Sequence, residues 1–217
     1  MVADVGSGTG VLSALFLESG YRVFGVEPNR EMRQAAEGFL GGHPLFESVG
    51  GAAEDTTLAD QSVDLIVVAN SLHWIEKGAA RVEFSRVLRP GGHVAIVWNI
   101  SRESGTPFLE AYTDLVLTYK TDGGAGGAAE VYEMTEAFFY DGSGEQQSYE
   151  SANFPYFQAL DLEGLKGLVL SSSSMPAPGQ PGSKEMLRDL EGIFRAHESG
   201  GEVVMEYEVS VYCGRLR

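Results

Sequence analysis

The chain has 217 residues, a length typical of one domain and sufficient for one sizeable hydrophobic core. Its 31 acidic residues exceed its 15 Lys and Arg residues, and the formal net charge of -16 opposes attraction to nucleic acid or to an anionic membrane surface. No apolar run approaches the roughly 18 residues that a membrane span needs, and the single cysteine, Cys213, excludes an internal disulfide and a multi-cysteine zinc site. The start lacks a signal-peptide pattern, so we expect a soluble, cytoplasmic protein with no nucleic-acid or membrane partner.

The first half of the chain alternates short apolar runs with segments of helical period, which is typical of parallel strands joined by crossover helices. A helix is predicted to begin after Asn29, a good N-cap, and to run to about Leu40. Pro90-Gly91-Gly92 is predicted to end a later helix, because proline disfavours helical backbone in the residue before it. Strands are predicted over residues 2–5, 21–26, 45–49, 65–69 and 93–98.

The second half of the chain is less regular. Residues 122–129 are rich in Gly and Ala and are predicted to form a flexible loop. A long strand is predicted over residues 203–213, where apolar residues alternate with Glu206, Glu208 and Ser210, so that one face is wetter than the other. A further strand is predicted over residues 149–157, and helices over 108–119, 130–140, 161–170 and 184–197. We find no convincing domain boundary and predict a single domain over residues 1–217.

A glycine-rich sequence, Gly6-Ser7-Gly8-Thr9-Gly10, lies between the first predicted strand and the first predicted helix. Glycine lets a ligand approach the backbone there, and the helix N-terminus presents unpaired N–H groups. A dinucleotide fingerprint needs glycine where this chain has Val11, and no Gly-Lys-Ser/Thr follows as in a phosphate-binding P-loop. An NAD-dependent oxidoreductase is therefore disfavoured. A cofactor cradle and a tight turn without a ligand both stay open.

An acidic residue, Glu27, ends the second predicted strand. A carboxylate at this position can accept hydrogen bonds from the two hydroxyls of a ribose. Taken alone, Glu27 is equally consistent with a solvated loop acid. Together with the glycine-rich turn, it favours a nucleoside ligand.

Several stretches of residues 2–99, in the expected order, resemble the class I S-adenosylmethionine-dependent methyltransferases. The likeness is greatest to their small-molecule group, which includes ubiquinone/menaquinone-type and trans-aconitate-type enzymes. Residues 2–10 are similar to the family's first motif, and residues 25–29 to the acidic end of its second strand. Residues 51–54 with 62–66 are similar to its adenine-lining segment. Residues 70–74 are similar to the sequence after its fourth strand, and residues 87–92 to the turn before its fifth.

The resemblance implies a fold and a cofactor. The fold would be a Rossmann-like, doubly wound α/β domain whose seven-stranded, mostly parallel sheet has the order 3-2-1-4-5-7-6 with the last strand antiparallel. Residues 1–99 would form a cofactor-binding half and residues 100–217 an acceptor-side half. The cofactor would be S-adenosyl-L-methionine, with S-adenosyl-L-homocysteine as the product.

The same resemblance, carried over residue by residue, implies a set of cofactor contacts. Gly6, Ser7, Gly8, Thr9 and Gly10 would pack beneath the methionine part of the cofactor.

The remaining contacts concern the two ends of the cofactor. Asp4 would organise the ammonium, Glu27 would hold the ribose and Asn70 would close over the sulfonium. The adenine would contact Pro28, Met32, Ala53 and Glu54. Many relatives carry Asp where this chain has Ala52, so Glu54 or a backbone carbonyl would take its place.

Relatives in this family usually place a helical segment before the first strand, whereas the first predicted strand begins here at about Val2. The resemblance therefore implies a chain that lacks this segment. We expect a cofactor site that is more exposed, and binds more weakly, than in those relatives.

The acceptor side of the expected site is marked by His73, Trp74 and Trp98. His73 is the nearest candidate for a catalytic base, since the ordinary pKa of a histidine is about 6.5, and the alternatives are that it lines the acceptor pocket or simply packs. Most aromatic residues of the second half, Tyr112 among them, are expected in the core, with a minority lining an apolar acceptor pocket. The four histidines are scattered, so no metal is expected.

These observations predict methyl transfer from S-adenosylmethionine to a small-molecule acceptor, at oxygen or nitrogen rather than carbon. The alternative is a binding module that holds the cofactor or a nucleoside without turnover, as a sensor or partner subunit. The sequence identifies neither the acceptor nor the oligomeric state.

Overall fold

The structure is a computed structural model and describes residues 1–121, 128–140, 149–172 and 174–216. The chain divides into two compact units. The first comprises Met1–Asn99, Ala128–Asn153 and Ser210–Arg217, and the second comprises Ile100–Gly127 and Phe154–Val209. The assignment of a cofactor-binding half and an acceptor-side half stays a prediction.

Seven strands form one mixed sheet in the order β3-β2-β1-β4-β5-β7-β6, which confirms the expected fold. The strands are β1 Val2–Val5, β2 Val23–Val26, β3 Phe46–Val49, β4 Val63–Ala69, β5 Leu88–Ser101, β6 Tyr149–Leu160 and β7 Val203–Gly214. The helices are α1 Val11–Glu18, α2 Arg30–Leu40, α3 Lys77–Val87, α4 Pro107–Tyr119, α5 Ala128–Phe139, α6 Leu162–Ser171 and α7 Ser183–His197, with a 3₁₀ turn over Leu72–Trp74.

The first five strands pair in parallel. All four residues of β1 are buried, as expected of a strand covered on both faces. In the register, Val5 lies beside Val26 and Val68, and Val26 lies beside Val49. The carboxyl ends of β1 to β4 therefore meet at one edge of the sheet, where ligands of open α/β sheets bind.

The predicted end of α3 is corrected by the structure. The helix ends at Val87, and Pro90-Gly91-Gly92 lies inside β5 rather than before it. Val63 pairs with Leu88 but Leu65 pairs with His93, so the extra residues form an irregularity in β5. Proline and glycine are typical of such bulges because they disturb the hydrogen-bond ladder.

The helix predicted after Asn29 is confirmed together with its cap. The Asn29 side chain accepts hydrogen bonds from the backbone N–H groups of Glu31 and Met32 at 2.9 and 3.2 Å. This cap satisfies two of the unpaired amides of the first turn of α2. It also fixes the direction in which the chain leaves β2.

The first unit contains the one cysteine of the chain. The half-buried side chain of Cys213 packs with Leu12 and Phe16 against a buried cluster of Val2, Val67 and Ala95. Burial raises the pKa of the Cys213 thiol. This thiol is therefore protonated at neutral pH.

The second unit has its own hydrophobic core. α4, α6 and α7 contribute residues such as Leu109, Leu165 and Leu190, each with no exposed surface. β7 adds Met205 and Tyr207 to this core. The apolar spacing of these helices therefore reflects packing. The expectation for the aromatic residues holds only in part, since Phe108, Phe138 and Phe139 are buried whereas Tyr140, Tyr156 and Phe157 are exposed.

The face that β7 buries changes along the strand. Val203, Met205 and Tyr207 are buried, as the alternation predicts. Ser210, which was expected on the wetter face, is only 2% exposed. The period of two therefore ends after Glu208, close to the point where β7 passes from the second unit to the first.

The predicted loop over residues 122–129 falls largely outside the described residues. Ala128 and Ala129 belong to α5, and residues 122–127 are not described. Within the described part of the chain, every helix is too short or too polar to cross a membrane.

Candidate functional site

The glycine-rich turn after β1 lies at the carboxyl edge of the sheet. The N–H groups of Gly6 and Ser7 donate to the Val26 carbonyl at 2.9 and 3.2 Å. Gly6 has a φ of +72°, and a Cβ on it would lie 2.6 Å from Oγ of Ser71. Gly8 has a φ of +57°, and a Cβ on it would meet nothing within 4 Å. The turn is therefore closed by protein at Gly6 and open at Gly8, which leaves space for a ligand.

Glu27 lies directly after β2 and is 6% exposed. Its Oε2 accepts a hydrogen bond from the Gly8 N–H at 2.9 Å, and its Oε1 accepts one from the Asn29 N–H at 2.8 Å. Arg33 of α2 donates to the Glu27 carbonyl at 2.8 Å. The carboxylate thus joins the glycine turn to the start of α2. Each of its oxygens keeps a lone pair for a further donor.

Asp4 is a second carboxylate of this edge, and it is almost fully buried within β1. Its Oδ2 accepts a hydrogen bond from Oγ of Ser13 at 2.6 Å. The pKa of Asp4 is raised to about 6, mainly by burial and least by the nearby charge of Glu27, while hydrogen bonds with Ser13 oppose the rise. A buried carboxylate without a cationic partner among the described residues favours a positively charged ligand group.

The residues expected around the adenine lie in different settings. Met32 is 47% exposed on α2, and Pro28 is also exposed. Ala53 is buried, and the half-buried Glu54 accepts a hydrogen bond from the Glu76 N–H at 2.7 Å. Glu54 therefore already has one partner in the protein, and its second oxygen carries no hydrogen bond from the described residues.

The loop after β3 is attached to α3 by a buried network. Oε1 of Glu83 accepts hydrogen bonds from the N–H and the hydroxyl of Thr56 at 2.8 and 2.6 Å. Arg86 donates to both oxygens of Glu83 at 2.7 and 2.8 Å. These bonds, with Arg86 first, lower the pKa of Glu83 to about 2. The network fixes the segment that carries Ala53 and Glu54.

Asn70 follows β4 in a left-handed conformation, with a φ of +51°. Its Oδ1 accepts a hydrogen bond from the Asn99 N–H at 2.8 Å, and its own N–H donates to the Val97 carbonyl at 2.9 Å. The side chain therefore bridges the ends of β4 and β5. A non-glycine residue in this conformation is strained, which is common at ligand sites.

The aromatic residues of the expected acceptor side lie beside one another. The His73 ring stacks on Trp98 with ring centres 6.1 Å apart and lies 4.9 Å from Trp74. Trp98 is buried and donates its indole N–H to the Thr135 hydroxyl at 2.9 Å. Trp74 is 68% exposed. Exposure thus decreases from Trp74 through His73 to Trp98, and the His73 ring contacts both tryptophans.

His73 has an unusual environment for a histidine. Its Nδ1 is buried and has no hydrogen-bond partner in the described residues. Burial lowers the pKa of His73, against the opposing charge of Glu130. The imidazole is therefore neutral at pH 7.

Sequence reasoning missed three residues that support this edge. Ser13 bonds to Asp4, and its helical position nine residues away could have suggested that contact. Glu83 and Thr135 lie 27 and 37 residues from their partners Thr56 and Trp98, so no local pattern reveals them.

Comparison with known proteins finds similarity to methyltransferases. Residues 3–96 match the family model described as "Methyltransferase domain". An uncharacterized methyltransferase of Mycobacterium tuberculosis is 40% identical over 102 residues, which are 47% of this chain and 41% of that protein. An uncharacterized methyltransferase of Schizosaccharomyces pombe is 26% identical over 195 residues, which are 89% of this chain and 73% of that protein. The matched segment thus spans about two fifths of the length of the mycobacterial relative.

A solved structure extends the likeness to nearly the whole chain. It belongs to a protein of Anaeromyxobacter dehalogenans that is provisionally described as a type II methyltransferase. The TM-score is 0.72 at 19% identity, over 99% of this chain and 89% of that one, and this likeness concerns the fold. Residues 3–96 are thus similar to the methyltransferase domain family, and the chain as a whole shares its fold with the Anaeromyxobacter dehalogenans protein.

Proposed function

We propose that this protein binds S-adenosylmethionine at the carboxyl edge of β1 to β4 and transfers its methyl group to the oxygen or nitrogen of a small molecule. The observation that carries the proposal is the pair of buried carboxylates, Asp4 and Glu27, beside a glycine turn that is open at Gly8. Asp4 has no cationic partner among the described residues, and the oxygens of Glu27 keep free lone pairs. The cofactor has an ammonium group and two ribose hydroxyls that match them.

The residue types at this edge match the chemical groups of the cofactor. Glu27 would accept hydrogen bonds from the ribose hydroxyls, and Asp4 would pair with the ammonium directly or through water. Ala53 and Glu54 would border the adenine edge, while Asn70 would lie towards the sulfonium end. Two exposed side chains of the α2 region, Pro28 and Met32, would cover one adenine face.

When bound, the cofactor supplies a methyl group on a cationic sulfur, which leaves by in-line displacement. The protein then has to align the acceptor and exclude water. We propose His73 as the base that removes a proton from the acceptor, because its neutral imidazole is able to accept one. Trp98 and Thr135 would hold this ring in place, and Trp74 would line the acceptor side.

Cofactor binding tests the proposal through Glu27. In Glu27→Gln the side chain keeps its shape but loses its charge, and in Glu27→Ala the ties to Gly8 and Asn29 are also lost. We expect affinity for S-adenosylhomocysteine, measured by calorimetry, to fall at least tenfold in the first variant and further in the second. Glu31→Gln removes the same charge from an exposed position on α2 and should leave the affinity unchanged. Equal affinity in the wild type and Glu27→Ala would refute the site.

Turnover separates an enzyme from a binding module. The protein is incubated with S-adenosylmethionine labelled in its methyl group and a panel of phenols, amines and carboxylic acids. We expect a labelled product, and a loss of rate of about 10² or more in His73→Gln with unchanged cofactor affinity. Tight cofactor binding without product from any acceptor is the result expected of a binding module.

A further inference from the structure

The second unit contains a cavity of about 220 Å³ that the proposed cofactor site does not use. It lies among α4, α6 and β7, and its apolar lining includes Val116, Leu168, Met175 and Met205. The cavity is partly open to solvent, and for comparison a closed apolar cavity of about 150 Å³ suffices for benzene. This cavity therefore has room for one ring with a short substituent.

The lining of the cavity is uncharged. Among the described residues that line it, two tyrosines and three serines are the polar ones, and none is ionised at neutral pH. A charged ligand would lose its hydration without gaining a counter-ion. The cavity therefore favours a neutral molecule.

Most of the polar groups in the lining already have partners. The Ser171 hydroxyl donates to the Leu168 carbonyl at 2.7 Å, and the Ser172 hydroxyl pairs with that of Ser174 at 2.8 Å. The Tyr207 hydroxyl donates to Oε1 of Gln158 at 3.4 Å. Ser101 is exposed, so water can satisfy its hydroxyl.

The Tyr112 hydroxyl differs from these groups. It has no hydrogen-bond partner in the described part of the chain, although the residue is half-buried. Burial, with the neighbouring Tyr207, raises the pKa of Tyr112 to about 12. The hydroxyl therefore keeps its proton at neutral pH and is an available donor.

We propose that this cavity is a binding site for a neutral, single-ring molecule that carries one hydrogen-bond acceptor, which the Tyr112 hydroxyl recognises. The apolar residues would enclose the ring. This inference does not depend on the proposed function, because the site lies within the second unit and binding needs no cofactor. Its ligand class includes simple phenols, which also belong to the acceptor panel above.

The test uses 4-fluorophenol as the probe and the fluorine resonance as the readout, with the whole protein and without cofactor. Val116→Phe fills the cavity from α4, and Leu117→Phe adds the same ring at the next position, where the side chain is 69% exposed and does not line the cavity. Tyr112→Phe removes only the donor, and Tyr21→Phe is its control at an exposed position of the first unit. Thermal unfolding checks that each variant is folded.

We expect the wild type, Leu117→Phe and Tyr21→Phe to bind 4-fluorophenol alike. Affinity should fall at least tenfold in Val116→Phe and about fivefold in Tyr112→Phe, and charged 4-fluorobenzoate should bind at least tenfold more weakly than the phenol. If Val116→Phe fails to fold, the affinity of Tyr112→Phe for 4-fluorophenol decides whether the proposal holds. No binding, equal binding in the tyrosine variants, or equal binding of the benzoate would overturn the proposal. Calorimetry with S-adenosylhomocysteine on the same samples reports separately on the proposed cofactor site.

Discussion

Gly6 and Gly8 have similar left-handed backbones but different surroundings, so their alanine variants should differ. Alanine costs about 1–2 kcal/mol in this conformation at either position. At Gly6 the methyl group would also overlap Ser71, which adds about 1–3 kcal/mol. We expect Gly6→Ala to lower the free energy of unfolding by the larger amount, measured in urea.

At Gly8 the methyl group meets no protein atom and would occupy the space left for a ligand. Gly8→Ala should therefore remain folded and lose most of its affinity for S-adenosylhomocysteine. Normal affinity in this variant would mean that no ligand approaches the turn at Gly8.

The buried carboxylate of Asp4 predicts a pH dependence. Its folded pKa of about 6 lies above the unfolded value of 3.8, so the folded state holds more protons between these values and stability falls as pH rises through this window. Asp4→Asn should remove this loss, which amounts to at most about 3 kcal/mol between pH 4 and pH 8. Urea unfolding at pH 4 and at pH 8 measures this loss of stability.

The same titration should appear in cofactor binding. Only the ionised Asp4 attracts an ammonium group, so affinity for S-adenosylhomocysteine should decrease as pH falls through about 6. Asp4→Asn should bind weakly, with little change over this range. A wild-type affinity that stays constant from pH 5 to pH 8 would show that the charge of Asp4 does not contribute to ligand binding.

At the scale of elements, the attachment of the loop after β3 to α3 depends on the charge of Glu83. Its folded pKa of about 2 lies below the unfolded value of 4.5, so this stabilisation is complete above pH 4.5 and is lost as pH falls towards 2. Glu83→Gln should lower the free energy of unfolding by about 2–3 kcal/mol at pH 7 and by much less at pH 2.5.

A matched variant exists for this comparison. Glu163→Gln breaks an ion pair with Lys166 in which the glutamate is 79% exposed, and exposed pairs contribute little. It should change stability by less than about 0.5 kcal/mol at either pH. A similar effect of both variants would show that Glu83 acts only as a surface charge.

The elements were predictable where the signal is local. Asn29 marks the start of α2, and the apolar run of β4 marks a buried central strand. The Pro-Gly-Gly sequence was misread because proline and glycine fit a bulge in β5 as well as a helix end. Ser210 was misplaced because the burial of β7 changes along the strand, and sequence alternation alone cannot show which elements cover each part.

At the scale of the whole molecule, the net charge of -16 should distinguish the proposed cofactor, S-adenosylmethionine, from its demethylated form, S-adenosylhomocysteine. S-adenosylmethionine carries one positive charge more than S-adenosylhomocysteine, so the field of the protein favours the former. Salt shortens the screening length from about 30 Å at 0.01 M to about 3 Å at 1 M. The dissociation constant of S-adenosylmethionine divided by that of S-adenosylhomocysteine, both measured by calorimetry, should therefore rise several-fold as salt is added. A constant ratio would limit recognition to short-range contacts.

The setting of Cys213 makes its thiol a probe of local opening in the folded protein. Its thiol is half-buried and protonated in the folded state, and only the thiolate reacts with disulfide or maleimide reagents. Labelling should therefore follow the transient openings of the carboxyl end of β7. Because the chain has one cysteine, mass spectrometry of the intact protein would measure the rate of labelling at Cys213 without any mutation. A ligand that stabilises the first unit would lower this rate.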